Sequence, residues 1–446
     1  MTNQPAPASP RTDHVPGVEQ PQTVTEAATL LRESSGSVLV QGGATKLDWG
    51  GPVENPGLVL DTTELSGVLT HNPADMTASV RAGTTLQSLQ QHLAESDQWL
   101  ALDPPTARRG ATVGGLLAAG DSGPSRLRYG GLRDLVIGVT LVLADGQVAR
   151  SGGHVIKNVA GYDLAKLVHG SLGTLALVAE VVVRLHPVPP ASRTLLGSAD
   201  PVQATAAALA IAASPLEPAA LEWFSDPRTG GRSGLLLVRV DGTVSHADHA
   251  AARMAQLLAA HGIRAETHAR EDESARHAWD AQAAAVLGVL RDPGEPGEPD
   301  ELSEPDELSD PGGSSAASGD SSAADHETVL RVCGLPSEFG ELVTRVARMA
   351  DGARMGLGLA SSLGLGMHTL RLVGPDLRDH ARLLTATRDL ALGQGASVLT
   401  RLRPKGLDEL VDPLGPAPGH APLLARIKAQ FDPDHRLAPG RLGPWA

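Results

Sequence analysis

Two glycine clusters, each set where a short apolar run ends or begins, constrain this chain more than any other feature. The first is Gln41-Gly42-Gly43-Ala44-Thr45-Lys46, directly after Val38-Leu39-Val40. The second is Ala111-Thr112-Val113-Gly114-Gly115, followed by Gly120-Asp121-Ser122-Gly123. Glycine removes the Cβ barrier, so successive backbone N–H groups can turn toward one point. Such nests bind anions, and a helix N-terminus adds its dipole. Two cradles in one domain suit a pyrophosphate better than a single phosphate. Each cluster by itself is equally an ordinary tight turn. Neither fits the phosphate loop of nucleotide hydrolases or a GxGxxG that opens a βαβ unit.

The surrounding pattern reads as small alternating elements. Glu26–Ser34 is predicted helical, and Val38–Val40, Leu58–Asp61, Leu65–Leu69 and Thr77–Ala82 are predicted strands. Leu86, Leu89 and Leu93 recur at helical spacing, so Thr85–Ser96 is an amphipathic helix. Val113–Ala119 and Asp163–Val168 are predicted helical. Leu135–Leu143, a return strand from Val148 after the Asp145-Gly146 turn, and Thr174–Leu185 are predicted strands. Beyond Pro190 helices and strands alternate without glycine clusters, which suits helices packed on one face of an antiparallel sheet. Helices are expected at 201–213, 246–260, 273–289, 338–350, 377–392 and 422–430, and strands at 235–240, 263–268, 328–333, 354–359, 368–373 and 397–402.

Composition excludes several classes. Of 446 residues only five are Trp, three Phe and two Tyr, so the cores rest on Ala, Val and Leu. The net charge of -14 with so few stacking rings argues against nucleic acid. One cysteine, Cys333, excludes intrachain disulfides, a cysteine-ligated iron–sulfur cluster within these residues and a multi-Cys zinc site. No run of ~18 apolar residues marks a transmembrane segment. The Pro-rich start lacks an apolar signal core, so a soluble cytoplasmic protein is expected, with any membrane contact made through partners. Residues 291–325 hold eleven acids and one Arg and contain EPDELS twice. Such a segment buries too little apolar surface to order itself and is expected to be a disordered insertion. Gly120-Asp121-Ser122-Gly123-Pro124 also looks like a protease nucleophile segment, but no matching His and Asp motif accompanies it.

Taken in order, five segments carry a resemblance: 38–46 (VLVQGGATK), 103–123 (DPPTARRGATVGGLLAAGDSG), 128–146, 157–175 and 180–187. Together they resemble the vanillyl-alcohol oxidase / p-cresol methylhydroxylase family of FAD proteins, and among them the FAD subunits of glycolate oxidases. The likeness spans 23–190 and returns at 427–442 (IKAQFDPDHRLAPGRL). It implies an α+β fold: a two-subdomain FAD-binding domain over 23–190, after a disordered leader at 1–22. A ferredoxin-like α+β cap over 191–446 would follow, containing the 291–325 insertion and the C-terminal return segment.

By the same resemblance Gly42, Gly43, Ala44 and Thr45, with Gln41 and Lys46 beside them, fall on the pyrophosphate loop. Pro105, Thr112, Gly114 and Gly115 fall on a second flavin-contacting loop, which Gly120, Ser122 and Gly123 continue. Tyr129, Gly130 and Asp134 fall where the family closes around the cofactor. Asn158, Gly161 and Tyr162 lie near the flavin, and Gly173 and Thr174 on the last contacting turn. Thr45 stands where some members attach FAD through a His, so noncovalent FAD is expected. The tail reads Ala438-Pro439-Gly440 where the family often has Asn-Pro-Gly.

Related 2-hydroxyacid dehydrogenases carry a His-rich metal motif in the second domain. The equivalent stretch, Gly356–His368, holds one His and no carboxylate, so no metal is expected. Arg371, Arg401 and Arg403 are candidates for capturing a substrate carboxylate. The implied function is the flavoprotein subunit of a glycolate oxidase-like complex. It would oxidise a small 2-hydroxy acid to a 2-oxo acid and pass electrons to a second flavin subunit and an iron–sulfur subunit. The alternatives are a scaffold subunit that keeps the FAD fold without catalysis, and a stand-alone flavin oxidase of another alcohol or sugar.

Overall fold

The computed structural model describes residues 17–53, 55–154, 161–288 and 326–443. The expected leader up to residue 16, Asn158 and the acidic insertion lie outside the described residues.

The N-terminal half holds two sheets. Gly17–Glu19, Leu58–Asp61 and Val38–Gln41 form a parallel three-stranded sheet in that order. The last residues of the expected leader are therefore a strand, because Gly17–Glu19 pairs in register with Leu58–Leu60. The helix Val24–Glu33 covers this sheet. Thr23 Oγ1 accepts the Glu26 N–H at 3.1 Å, which fixes its start. Its buried face, Ala27, Ala28 and Leu31, packs on Val38, Leu58 and Leu60.

The second sheet has five antiparallel strands in the order Val68–Asn72, Thr77–Arg81, Leu177–Arg184, Val136–Val142 and Val148–Gly152. Leu86, Leu89 and Leu93 from the helix Leu86–Ala94 pack against it, as do Leu116 and Leu117 from the helix Val113–Ala119. The strand expected at Leu65–Leu69 begins only at Val68. Leu65 instead sits fully buried in a turn, its N–H donating to the Thr62 carbonyl.

Beyond residue 190 eight antiparallel strands form one sheet. Their order is Ala265–Ala269, Ala191–Ala199, Gly234–Gly242, Ala220–Ser225, Gly356–Ser362, Met367–Gly374, His326–Cys333 and Ser397–Leu402. The sheet is two ferredoxin-like βαββαβ units side by side, each with its fourth strand beside its first and its second strand at the join. The join is the antiparallel pairing of Glu222 with Ser362 and of Phe224 with Ala360.

Four helices cover one face: Pro201–Ala212, Val244–Ala260, Phe339–Gly352 and Leu377–Gly393. They share a core with Trp223, Leu236, Leu357 and Leu370. A fifth helix, Glu273–Leu287, lies on the opposite face toward the N-terminal half. There Trp279 Nε1 donates to Thr194 Oγ1 at 3.1 Å, and Arg108 and Asp280 meet at 2.5 Å. The expectation of helices on a single face therefore holds for four of these five. Alternation explains the split, since Leu221 and Trp223 point to the helical core while Glu222 points away from it.

The chain end returns to the N-terminal half. After the helix Ala421–Phe431, the Val38 N–H donates to the Arg436 carbonyl and the Ala438 N–H donates to Val38 O. Lys428 Nζ, buried, donates to Thr174 O at 2.7 Å, Asp432 Oδ2 at 2.6 Å and Leu437 O at 2.9 Å. This C-terminal segment is thus structurally part of the half it closes.

Candidate active site

The strand Val38–Gln41 delivers residues 42–46 into a cleft with about 720 Å³ of empty space. Gln41, Gly42, Gly43, Ala44, Thr45 and Lys46 form one wall. Thr112, Gly114 and Gly115 form a second, and Leu172, Gly173, Ala176 and Val178 a third. The two glycine clusters pack against each other. A Cβ on Gly43 would overlap the Gly110 carbonyl oxygen, and one on Gly42 would overlap the Thr112 hydroxyl. Ala44 turns the loop with φ +51°. The N–H groups of Gly42, Gly43, Ala44 and Thr45 find no acceptor among the described residues. Orphaned donors along a groove of cofactor size, lined otherwise by small apolar residues, fit an elongated dianion with flat rings.

A second, smaller cavity with about 380 Å³ of empty space lies between the two halves. Pro105, Ser122, Gly123 and Pro124 close it from the N-terminal side. Glu222, Gln282, Arg331, Ser362, Met367 and Arg401 close it from the cap. Asp121 ties the two spaces together. It is buried, takes the Thr106 hydroxyl hydrogen bond at 2.6 Å, and faces Lys46 Nζ at 3.8 Å and Arg401 Nη2 at 3.4 Å. Burial pushes Lys46 down to about 8, and the nearby Arg401 charge adds to this against the pull of Asp121. Burial also pushes Arg401 down to about 9, with Arg331 acting the same way. Arg401 lies 3.9 Å over the Trp49 ring, and its Nε is buried without a partner among the described residues. Arg331 reaches the Met367 sulfur at 3.5 Å. Lys46, Arg331 and Arg401 outnumber the two buried carboxyl groups here, Asp121 and Glu222, a balance that suits an anionic guest.

The structure brings together thirteen of the residues that the resemblance assigned to the cofactor. Ten line the cleft: Gln41 to Lys46, Thr112, Gly114, Gly115 and Gly173. Three line the cavity: Pro105, Ser122 and Gly123. The others among the described residues lie outside both linings. Gly120 ends the helix Val113–Ala119 with φ +59°. Tyr129 packs edge-on against Trp99 and His186. Gly130 precedes a turn in which Asp134 accepts the Gly131 N–H at 3.1 Å. Gly161 and Tyr162 are exposed, Tyr162 by 91%. Thr174 is buried and donates to Ser171 O.

Of the three arginines proposed for carboxylate capture, only Arg401 reaches the cavity. Arg371 pairs with Glu327 at 2.5 Å, and Arg403 pairs with Asp408 while holding the carbonyls of Asp48 and Gly50. His368 stacks on Phe339 in the helical core and bonds Ser361, and burial pushes it down to about 4. Among the described residues no group of three or more His, Cys, Asp or Glu is arranged to hold a metal. Asp121, Glu222, Gln282, Arg331 and Ser362 were not singled out from the sequence. Asp121 could have been, since it stands between Gly120 and Ser122. The other four come from elements far apart in the chain.

These two spaces define a nucleotide-binding half that meets a second domain across a cationic cavity. Residues 13–152 match a protein family described as FAD binding domain. The chain is 37% identical over 158 residues to glycolate oxidase subunit GlcE of Escherichia coli strain K12, covering 35% of this chain and 45% of that one. It is 34% identical over 206 residues to glycolate oxidase subunit GlcD of Bacillus subtilis strain 168, covering 46% and 43%. It is 35% identical over 173 residues to a D-lactate dehydrogenase of Archaeoglobus fulgidus, covering 38% of each. The chain thus spans less than half the length of these relatives. A solved alkyldihydroxyacetonephosphate synthase superposes over 95% of this chain and 75% of its own with a TM-score of 0.66 at 15% identity, a likeness of fold. The match over residues 13–152 makes the N-terminal part of the chain an FAD-binding domain, and its cofactor is FAD.

Proposed function

We propose that the chain is the flavoprotein subunit of a glycolate oxidase-like complex and oxidises a small 2-hydroxy acid to the 2-oxo acid. FAD, when bound, supplies the two-electron acceptor. Residues 41–46, Thr112, Gly114, Gly115 and Gly173 would hold it in the cleft, with Pro105, Ser122 and Gly123 at the junction with the cavity. No His stands in the 41–46 loop, so attachment is noncovalent.

One observation carries the reading: Arg401, buried, with an unpartnered Nε, stands in a cavity that opens against the 122–124 loop. A guanidinium in that state favours a carboxylate. The relatives support the substrate class, since they are named glycolate oxidase subunits and a D-lactate dehydrogenase. Two of them are named as subunits, which supports assembly with a second flavin subunit. Cys333 alone cannot ligate a cluster, so an iron–sulfur subunit would take the electrons onward. No helix among the described residues is long and apolar enough to cross a membrane.

The test is to purify the chain, reconstitute it with FAD, and mix it anaerobically with glycolate or D-lactate. Bleaching of the flavin absorbance is expected. A yellow protein that no 2-hydroxy acid bleaches, alone or with its partners, contradicts the proposal.

A further inference from the structure

The cavity holds an acid that the capture of a carboxylate does not use. Glu222 sits on the strand Ala220–Ser225, at the join of the two ferredoxin-like units, and is buried. Its Oε1 accepts the Ser362 hydroxyl at 2.6 Å and its Oε2 accepts Gln282 Nε2 at 2.9 Å. Those two donors come from the facing strand and from the helix on the cavity side of the sheet, so the carboxyl is held in one orientation. It shares the cavity with Arg331 and Arg401 and faces the 122–124 loop. A buried acid without a salt-bridge partner among the described residues is costly to keep. Held at the wall of an anion-binding cavity, it is a group placed for proton transfer.

We propose that Glu222 is the proton acceptor for the hydroxyl of the 2-hydroxy acid whose carboxylate Arg331 and Arg401 hold. The inference rests on the function proposed above. In the step, the substrate O–H bond breaks and its proton goes to the Glu222 carboxylate. The carbinol C–H bond breaks with its electron pair leaving as hydride to the two-electron oxidant, FAD, and the C=O bond forms. Substrate loses two electrons and two hydrogens, one as a proton and one as hydride. Arg331 and Arg401 keep the carboxylate charge away from Glu222, while Gln282 and Ser362 steady the ionised form.

Two charged groups act on its titration, Asp103 from the N-terminal half and Arg239 from the neighbouring strand, while Arg331, Arg401 and His368 line the same cavity. Burial dominates and pushes Glu222 up to about 8, with Asp103 adding to it and Ser362, Gln282 and Arg239 opposing. The base form therefore gains as pH rises through about 8.

The experiment compares wild type with Glu222→Gln in the FAD-reconstituted full chain. Two readouts are taken: anaerobic flavin reduction as a function of pH, and binding of oxalate, which cannot be oxidised this way, followed by flavin absorbance. A third readout is the infrared carboxylic-acid C=O band below pH 7. The expected result is a wild-type reduction rate that rises to a plateau above about pH 8. Glu222→Gln should reduce at least about 100-fold more slowly with no such rise, bind oxalate within threefold of wild type, and lack the infrared band. Wild-type rate and pH profile in Glu222→Gln overturn the assignment while leaving the oxidase reading intact. A wild-type protein that neither binds oxalate nor bleaches overturns both.

Discussion

The cleft and the cavity are built in opposite ways. The cleft is made of backbone: residues 42–45 present N–H groups, Gly42, Gly43, Gly114 and Gly115 present bare Cα atoms, and its walls come from segments contiguous in sequence. The cavity is made of side chains that meet across the domain boundary, such as Asp121 with Arg401 and Glu222 with Gln282 and Ser362. A backbone site tolerates little change at its glycines and much change elsewhere. A side-chain site depends on how the two domains dock, and it can change chemistry while the cofactor cleft stays the same.

The contrast can be broken most sharply at the cleft. Gly43→Val places side-chain atoms where the Gly110 carbonyl stands. FAD content, measured as flavin absorbance per protein, should fall to near zero, and a variant with full flavin content would refute the backbone account.

Next in size is the C-terminal clamp that closes the cleft's half. Lys428→Met leaves Asp432 buried without its cation and frees the carbonyls of Thr174 and Leu437. Breaking such a pair costs about 3–5 kcal/mol, to be read from urea unfolding.

A smaller effect belongs to the cap. His368 is held below its ordinary value of 6.5, at about 4, because burial favours the neutral ring. The unfolded chain therefore binds the proton more readily, and stability is lost as pH falls from 6.5 toward 4. His368→Leu should flatten the stability–pH curve in that window by up to one proton, ~1.4 kcal/mol per pH unit. An unchanged slope would contradict the burial of His368.

The smallest effect is at the domain edge. Arg108 and Asp280 are both more than half exposed, so Arg108→Ala should shift stability by no more than about 0.5 kcal/mol.

Legibility in the sequence follows the same division. The helix Val113–Ala119 and the strands Leu58–Asp61 and Ser397–Leu402 are seen at the boundaries expected, because glycine, turn and alternation signals are local. The strands Ala191–Ala199 and Ala220–Ser225 were not expected. Ala191–Ala199 reads ASRTLLGSA, with no clean alternation, and it is a strand because Gly234–Gly242 and Ala265–Ala269 pair with it on both sides. The duplication of the ferredoxin-like unit is likewise carried by topology. In the site, the 41–46 loop was legible because its chemistry lies in consecutive residues. Glu222 was not, because what sets it apart is burial beside Gln282 and Ser362, residues 60 and 140 positions away.

The most direct measurement of the central claim is hydrogen exchange at the amides of Gly42, Gly43, Ala44 and Thr45 with and without FAD. These N–H groups have no acceptor among the described residues, so they should exchange fast in the apoprotein and slow markedly when FAD is bound. Fast exchange at all four in the yellow protein would contradict the assignment of this loop as the cradle of the cofactor.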